Sequence, residues 1–189
     1  MRDFYYLNRY LDILTGDIYP QPPDPGHQKW LEEIIDKWLS RLTNLDSILD
    51  VGCGQGQAFA ALGRYARRVE GVTLGSDVLV CRGKGLKVFQ ADFSFLPFSD
   101  GEFDLIFARH ALEHSPMPLL TLMEWRRVAR TWLLLVLPSL EHYGVGGQNH
   151  YYVLSRDQWL HLLDVAGWMP IWEDDSEKTE YRFMAEKRR

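Results

Sequence analysis

The chain has 189 residues, 46% hydrophobic and 25% charged, the proportions of a globular protein long enough to bury one full core. Its formal net charge of −5 argues against general affinity for nucleic acid, which needs a basic face. No apolar run approaches the ~20 residues that span a bilayer, so stable membrane insertion is not expected. Met1-Arg2-Asp3-Phe4 has neither the basic start nor the apolar stretch of a secretory signal. The two cysteines, Cys53 and Cys81, are isolated thiols that fit a reducing, cytoplasmic setting without a structural bridge.

The first 45 residues read as a helical cap and lid. An aromatic stretch (Phe4, Tyr5, Tyr6, Tyr10) leads through the proline-rich Pro20–Gly26 link to a helix from His27 to Leu42. Trp30, Ile34, Trp38 and Leu42 recur at helical spacing and predict a face packed on a sheet. Residues 46–189 form the main domain, in which strands alternate with helices, the pattern of a mostly parallel α/β sheet. Strands are predicted at 47–51, 68–73, 86–90, 103–108, 132–137, 168–173 and 179–186. Helices are predicted at 57–67, 76–82, 116–130 and 156–166. Ser155 and Gln158 make a capping box for the last helix, and Gly167 stops it. Residues 139–154, rich in Gly, His and Tyr, form a long loop at the carboxyl end of a strand, where loops are more often functional than idle.

The most informative stretch is Ile48-Leu49-Asp50-Val51-Gly52-Cys53-Gly54-Gln55-Gly56. A buried strand breaks here into glycines at every second position, which tolerate positive φ and let a ligand touch main chain. The amides that open the following helix should point into the same space. A dinucleotide fingerprint reads G-x-G-x-x-G because pyrophosphate sits on a helix N-terminus. Here an acid precedes a G-x-G-x-G pattern. It would repel a phosphate and suit an ammonium group, so the implied ligand is a nucleoside with a cationic amino-acid tail. A purely structural glycine turn is the competing reading.

Further features stand where such a ligand would need them. The second strand ends Gly71-Val72-Thr73-Leu74, where a ribose edge is read. The third ends Gln90-Ala91-Asp92-Phe93, with Asp92 set to accept from an adenine amino group and Phe93 to cover a ring. The fourth, Phe103 to His110, opens into Ala111-Leu112-Glu113-His114.

With these motifs in this order, the chain resembles the class I S-adenosylmethionine-dependent methyltransferases, especially the small-molecule branch of the ubiquinone and menaquinone biosynthesis methyltransferases. Leu49 to Gly56, Ala91-Asp92 with Leu96-Pro97-Phe98, Phe103-Asp104, Ala111 to His114 and Arg127-Val128 carry the resemblance. It covers residues 46–138 well and 150–168 moderately. It implies a three-layer α/β/α Rossmann-like sandwich whose seven-stranded sheet has the order 3-2-1-4-5-7-6, one strand antiparallel. It further implies that Gly52, Cys53 and Gly54 line the methionine part of S-adenosyl-L-methionine, with Gly56 also in the cofactor site, and that Asp50 reaches its amino group. Asp92 and Phe93 would hold adenine, and Arg109 and His110 would border the sulfonium.

Two departures stand out. The family's ribose-binding acid is replaced by Thr73, in a Gly71-Val72-Thr73-Leu74 turn similar to that of cyclopropane-fatty-acid synthases, with Asp77 in position to supply the carboxylate beside Leu74. The Lys-Pro-Gly-Gly turn usual before the fifth strand is missing.

In-line methyl transfer to a small-molecule, lipid or glycan-precursor acceptor is the implied reaction, leaving S-adenosyl-L-homocysteine. Such chemistry asks mainly for alignment, exclusion of water and, for some acceptors, a base. His114, His142 and His150 are the candidate bases, whereas His161 belongs to a helix surface or core. His110 and His114 stand four apart, but they lie in a turn without a third ligand at a telling spacing, so no metal is expected. Two rival readings remain. One is a protein that binds the nucleoside without chemistry. The other is an NAD(P)-dependent oxidoreductase, which would need the longer glycine spacing.

Overall fold

The computed structural model describes residues 25–144, 150–174 and 178–188. The expected aromatic stretch and most of the proline-rich link lie outside them. Helix α1 (Pro25–Leu39) is followed by β1 (Ser47–Val51), α2 (Phe59–Leu62), β2 (Arg68–Thr73), α3 (Asp77–Gly83), β3 (Val88–Gln90) and β4 (Phe103–Arg109). After a 3₁₀ turn at Leu112–His114 come α4 (Pro118–Val128), β5 (Ala129–Pro138), α5 (Leu140–Tyr143), α6 (Arg156–Val165), β6 (Trp168–Asp174) and β7 (Glu180–Lys187).

These strands form one seven-stranded sheet in the expected order, β3-β2-β1-β4-β5-β7-β6. The pairs from β3 to β5 are parallel, and β7 runs antiparallel between β5 and β6. Alternation along the buried strands sorts their side chains onto two faces. Leu49, Val51, Ile106, Ala108, Leu133, Leu135 and Phe183 meet α4 and α6 through Trp125 and Trp159. Ile48, Leu105, Phe107, Leu134, Val136 and Met184 meet α1 and α2. The result is the three-layer sandwich, with α1 contributing Leu31, Ile34, Ile35, Trp38 and Leu39 to the second face. The amphipathic reading of that helix holds for Ile34 and Trp38, which are buried, whereas Trp30 is only partly buried and Leu42 packs beside them from beyond the helix's end at Leu39.

Three local expectations change. The long helix expected after the glycine turn shrinks to Phe59–Leu62, because i,i+3 bonds from Arg64 to Ala61 and from Tyr65 to Leu62 tighten its exit toward β2. Strand β5 starts at Ala129 directly after α4, so the connection that lacks the family's usual turn is no turn at all. The loop after β5 opens with α5, where Ser139 caps by accepting from the amide of His142. The Ser155–Gln158 capping box of α6 is present as read.

Two buried polar anchors fix the strands that carry the site. Asp104 on β4 accepts from the amides of Asp46 and Ser47 and from Ser47 Oγ, clamping β4 to the start of β1. Burial would raise its carboxyl, but these bonds and the charge of Arg130 outweigh it and hold it below the usual range. Trp125 Nε1 donates to Phe93 O at 2.9 Å, tying α4 to the segment after β3. Among the described residues, no helix is long and apolar enough to cross a membrane.

Trp125→Ala removes a fully buried ring, and urea denaturation should show a loss of about 3–5 kcal/mol. Arg64→Ala, breaking only exposed ion pairs with Glu32 and Asp36, should change stability by less than about 1 kcal/mol.

Candidate functional site

At the carboxyl edge of the sheet, the turn after β1 meets the turn after β4. Gly52 has φ +73°, and a Cβ there would lie 2.6 Å from Ala111 Cβ, so the contact admits only glycine. Gly54 and Gly56 also have positive φ. The amides of Gly52 and Cys53 both donate to Val72 O, and that of Gly56 donates to Cys53 O. Those amides are therefore committed within the protein. With α2 only four residues long, the turn is a poor cradle for pyrophosphate, whose binding depends on a row of free helix-start amides.

Asp50 sits two residues before Gly52, between Gly71 of β2 and Phe107 of β4. It is buried, and its Oδ2 has no hydrogen-bond partner. Burial pushes its carboxyl up to about 8. Burial raises the thiols of Cys53 and Cys81, and the nearby Asp50 adds to the rise. A buried acid without a donor is costly. This one fits a group that brings both positive charge and hydrogens, such as an ammonium.

The other expected binding residues surround the same edge. Thr73 is buried at the end of β2, with Leu74 partly exposed after it. Asp77 opens α3 and turns its carboxylate to the glycine turn: Oδ1 accepts from Gln55 Nε2 at 3.2 Å, and Oδ2 would lie 3.8 Å from a Cβ on Gly54. Asp92 accepts from the amide of Ser94, and the partly buried ring of Phe93 meets Trp125 edge-on.

Arg109 and His110 are drawn into a charged cluster with Glu113, which the sequence marked only as part of the Ala111–His114 motif, and Glu180, which it did not single out. Arg109 Nη2 lies 3.1 Å and His110 Nε2 2.7 Å from Glu180 Oε1, while Arg182 donates to Glu180 Oε2. The other ring nitrogen of His110, Nδ1, is 3.5 Å from Glu113 Oε1. His110 holds this position with φ +49°, uncommon for a side-chain-bearing residue.

Environment separates the two acids. Burial alone would raise Glu180, but the His110 hydrogen bond and the charges of His110, Arg109 and Arg182 hold it at about 2. Burial pushes Glu113 up to about 7 against the opposing charges of His110 and Arg109. Neither Glu113 oxygen takes part in a hydrogen bond. Glu113 stands inside a motif and was legible as a neighbour of His114. Glu180 has no local signal, because β7 delivers it opposite Pro138 through antiparallel pairing with β5.

Of the three candidate bases, two are brought together. His114 and His150 meet edge-on with ring centroids 4.8 Å apart. The amides of Tyr151 and Tyr152 both donate to Glu113 O, which holds the returning segment there. Burial and the charge of His110 lower His150 below the usual imidazole range, favouring its neutral form. His142 is exposed on α5 and outside this pair, and His161 is exposed on α6.

Residues 49–132 match the family model described as a methyltransferase domain. An O-methyltransferase of Penicillium expansum is 33% identical over 147 residues, covering 68% of this chain and 53% of that one. A ubiquinone biosynthesis O-methyltransferase of Methylococcus capsulatus is 29% identical over 127 residues, covering 63% and 48%. The chain spans about half the length of the curated relatives it matches. In fold, it is similar to a SAM-dependent methyltransferase from Aquifex aeolicus, with TM-score 0.67 and 22% identity over 87% of this chain and 99% of that one. It is also similar to the magnesium protoporphyrin IX methyltransferase of Synechocystis PCC 6803 with bound SAM, with TM-score 0.68 and 16% identity over 97% and 91%.

Gly52→Ala should cost about 1–3 kcal/mol in chemical denaturation, the clash with Ala111 adding to the positive-φ strain. Asp50→Asn tests the buried acid. A carboxyl raised when folded stabilises fully below its unfolded value near 3.8, and that contribution is lost as pH climbs toward 8. The variant should therefore gain stability over the parent as pH rises from 3.8 to about 8, read as a rising difference in denaturation midpoint.

Proposed function

We propose, on the premise that residues 49–132 of this chain form a methyltransferase domain of the class I type, that the protein transfers a methyl group from S-adenosyl-L-methionine to a small-molecule, lipid or glycan-precursor acceptor. The observation that carries the reading is the buried, unpartnered Asp50 oxygen below a glycine turn whose Gly52, Cys53 and Gly56 amides are already spent. That arrangement suits an ammonium-bearing amino-acid tail and disfavours a pyrophosphate, which weighs against the oxidoreductase reading.

The residues fit the cofactor. Asp50 takes its amino group, and Gly52, Cys53, Gly54 and Gly56 leave main chain bare along the methionine. Thr73, Leu74 and Asp77 meet the ribose, with the Asp77 carboxylate compensating for the hydroxyl of Thr73. Asp92 and Phe93 hold adenine. Arg109 and His110, steadied by Glu180, border the reacting end. When bound, the cofactor supplies a methyl group already activated on a sulfonium.

What remains for the chain is to align an acceptor, exclude water and take up a proton, work in which positioning can contribute several kcal/mol. The neutral ring of His150, against His114 and Glu113, is the group we assign to proton uptake, with His142 as the more exposed candidate. Relatives named for O-methylation and for sterol 4-C-methylation support a small-molecule acceptor, as does the net charge of −5. The two unbridged thiols, Cys53 and Cys81, support a reducing, cytoplasmic location.

Calorimetric titration with S-adenosylhomocysteine should show binding that releases a proton below about pH 8 and tightens by roughly tenfold per pH unit between about 6 and 8. Asp50→Asn should bind more weakly and lose that slope. Failure to bind at millimolar ligand overturns the reading. Binding without any turnover of S-adenosylmethionine across an acceptor panel leaves a nucleoside-binding protein instead.

A further inference from the structure

Two residues beyond Ala111, which Gly52 abuts, Glu113, His114 and His150 form a group of which the proton uptake proposed above uses only the ring of His150. One ligand atom from each residue lies within 4.8 Å of the other two. The Glu113 carboxylate is fully buried, receives no hydrogen bond at either oxygen, and has His114 Nε2 at 4.0 Å. The third ligand escapes a reading by spacing because it arrives from beyond β5, on the segment pinned through Tyr151 and Tyr152 to Glu113 O.

We infer that Glu113, His114 and His150 form a binding site for a divalent transition metal, with zinc the best match. Two imidazoles and one carboxylate are a donor set that zinc takes at ~2.0–2.2 Å, leaving a fourth position for water or an oxygen ligand. Such a tetrahedron sets its donor atoms roughly 3.3 Å apart. The cluster reaches that by contracting, and His114 and His150, both partly exposed, have the freedom to turn. Magnesium and calcium, which prefer oxygen-only shells, fit poorly.

A supporting shell is present as well. His110 faces Glu113 Oε1 through Nδ1 and is itself held by Glu180 through Nε2, the kind of outer contact that orients a metal-bound carboxylate. The site adjoins the glycine turn, since Ala111, two residues before Glu113, is the residue Gly52 abuts. A bound metal occupies the imidazole lone pairs, so a loaded His150 no longer accepts a proton. Metal binding and proton uptake are alternative uses of one cluster.

The inference does not rest on the methyl-transfer reading, and its test is separate. Tag-free, metal-stripped full chain is titrated with zinc chloride by calorimetry, and with cobalt(II) while its visible absorption is recorded. The expected result is one zinc per chain, displaceable cobalt with the intense absorption of a low-coordinate site, and affinity reduced roughly tenfold or more by His150→Ala and by His114→Ala. His150→Ala alters a partly exposed residue outside regular structure, so it guards against mistaking unfolding of Glu113→Gln for loss of the site. Absence of stoichiometric zinc binding overturns the proposal. So does zinc binding that His150→Ala leaves unchanged, which would point to the thiols of Cys53 and Cys81. S-adenosylhomocysteine titration of the same samples reports on the cofactor pocket independently.

Discussion

The contact between Gly52 and Ala111 is the constraint from which the rest of the site follows. At the point where strand order reverses, β1 and β4 run side by side, and the turns that leave them must separate to make a crevice. Here they also touch, with no room for a single added methyl group. That closeness holds the glycine turn against the segment carrying Arg109, His110, Glu113 and His114. A ligand lying along the turn is then bordered on one side by bare main chain and on the other by the charged residues after β4. The parallel pairing of β1 with β4 and the Asp104 clamp onto β1 give this junction its rigidity.

Three buried carboxylates at this edge have three different fates, set by what surrounds each. Asp50 has one oxygen without a partner, and burial raises it. Glu180 is surrounded by Arg109, His110 and Arg182, and it is held far down. Glu113 lies between these limits, near His110 and His114 but not hydrogen-bonded to either. Acids kept apart in this way serve different purposes. The first is suited to an incoming cation, the second holds the strands and rings in place, and the third is available to a ligand beside two imidazoles. The charged chain extends outward from Glu180 through Arg182 and Asp174 to Lys37 on α1. The packing of that helix and the orientation of the site are thus linked by one continuous row of ion pairs.

Main-chain direction was the most legible property of the chain. Short buried runs ending in glycines, and a helix opened by Ser155 and Gln158, are local patterns governed by backbone freedom and capping, so they survive without tertiary information. The buried face of α1 follows from helical periodicity in the same way. Local reasoning went astray where tertiary geometry compressed a segment. The stretch after Gly56 has the residues of a longer helix, yet it must reach β2 within a few positions and tightens into turns. The expected three bases were likewise sorted by tertiary structure, His150 joining His114 while His142 stays exposed.

The glycine turn with its preceding acid and the amphipathic helix were determined by the sequence itself, because each depends on residues a few positions apart, whereas the strand order came through the family resemblance. Tertiary structure alone decided that Glu180 would come to neutralise Arg109 and His110, and that His150 would stand beside Glu113 and His114. Those partners are brought together by antiparallel pairing of β5 with β7 and by a loop that returns across the sheet edge. Electrostatic attraction and burial act through space, and their consequences appear only once the chain has closed on itself.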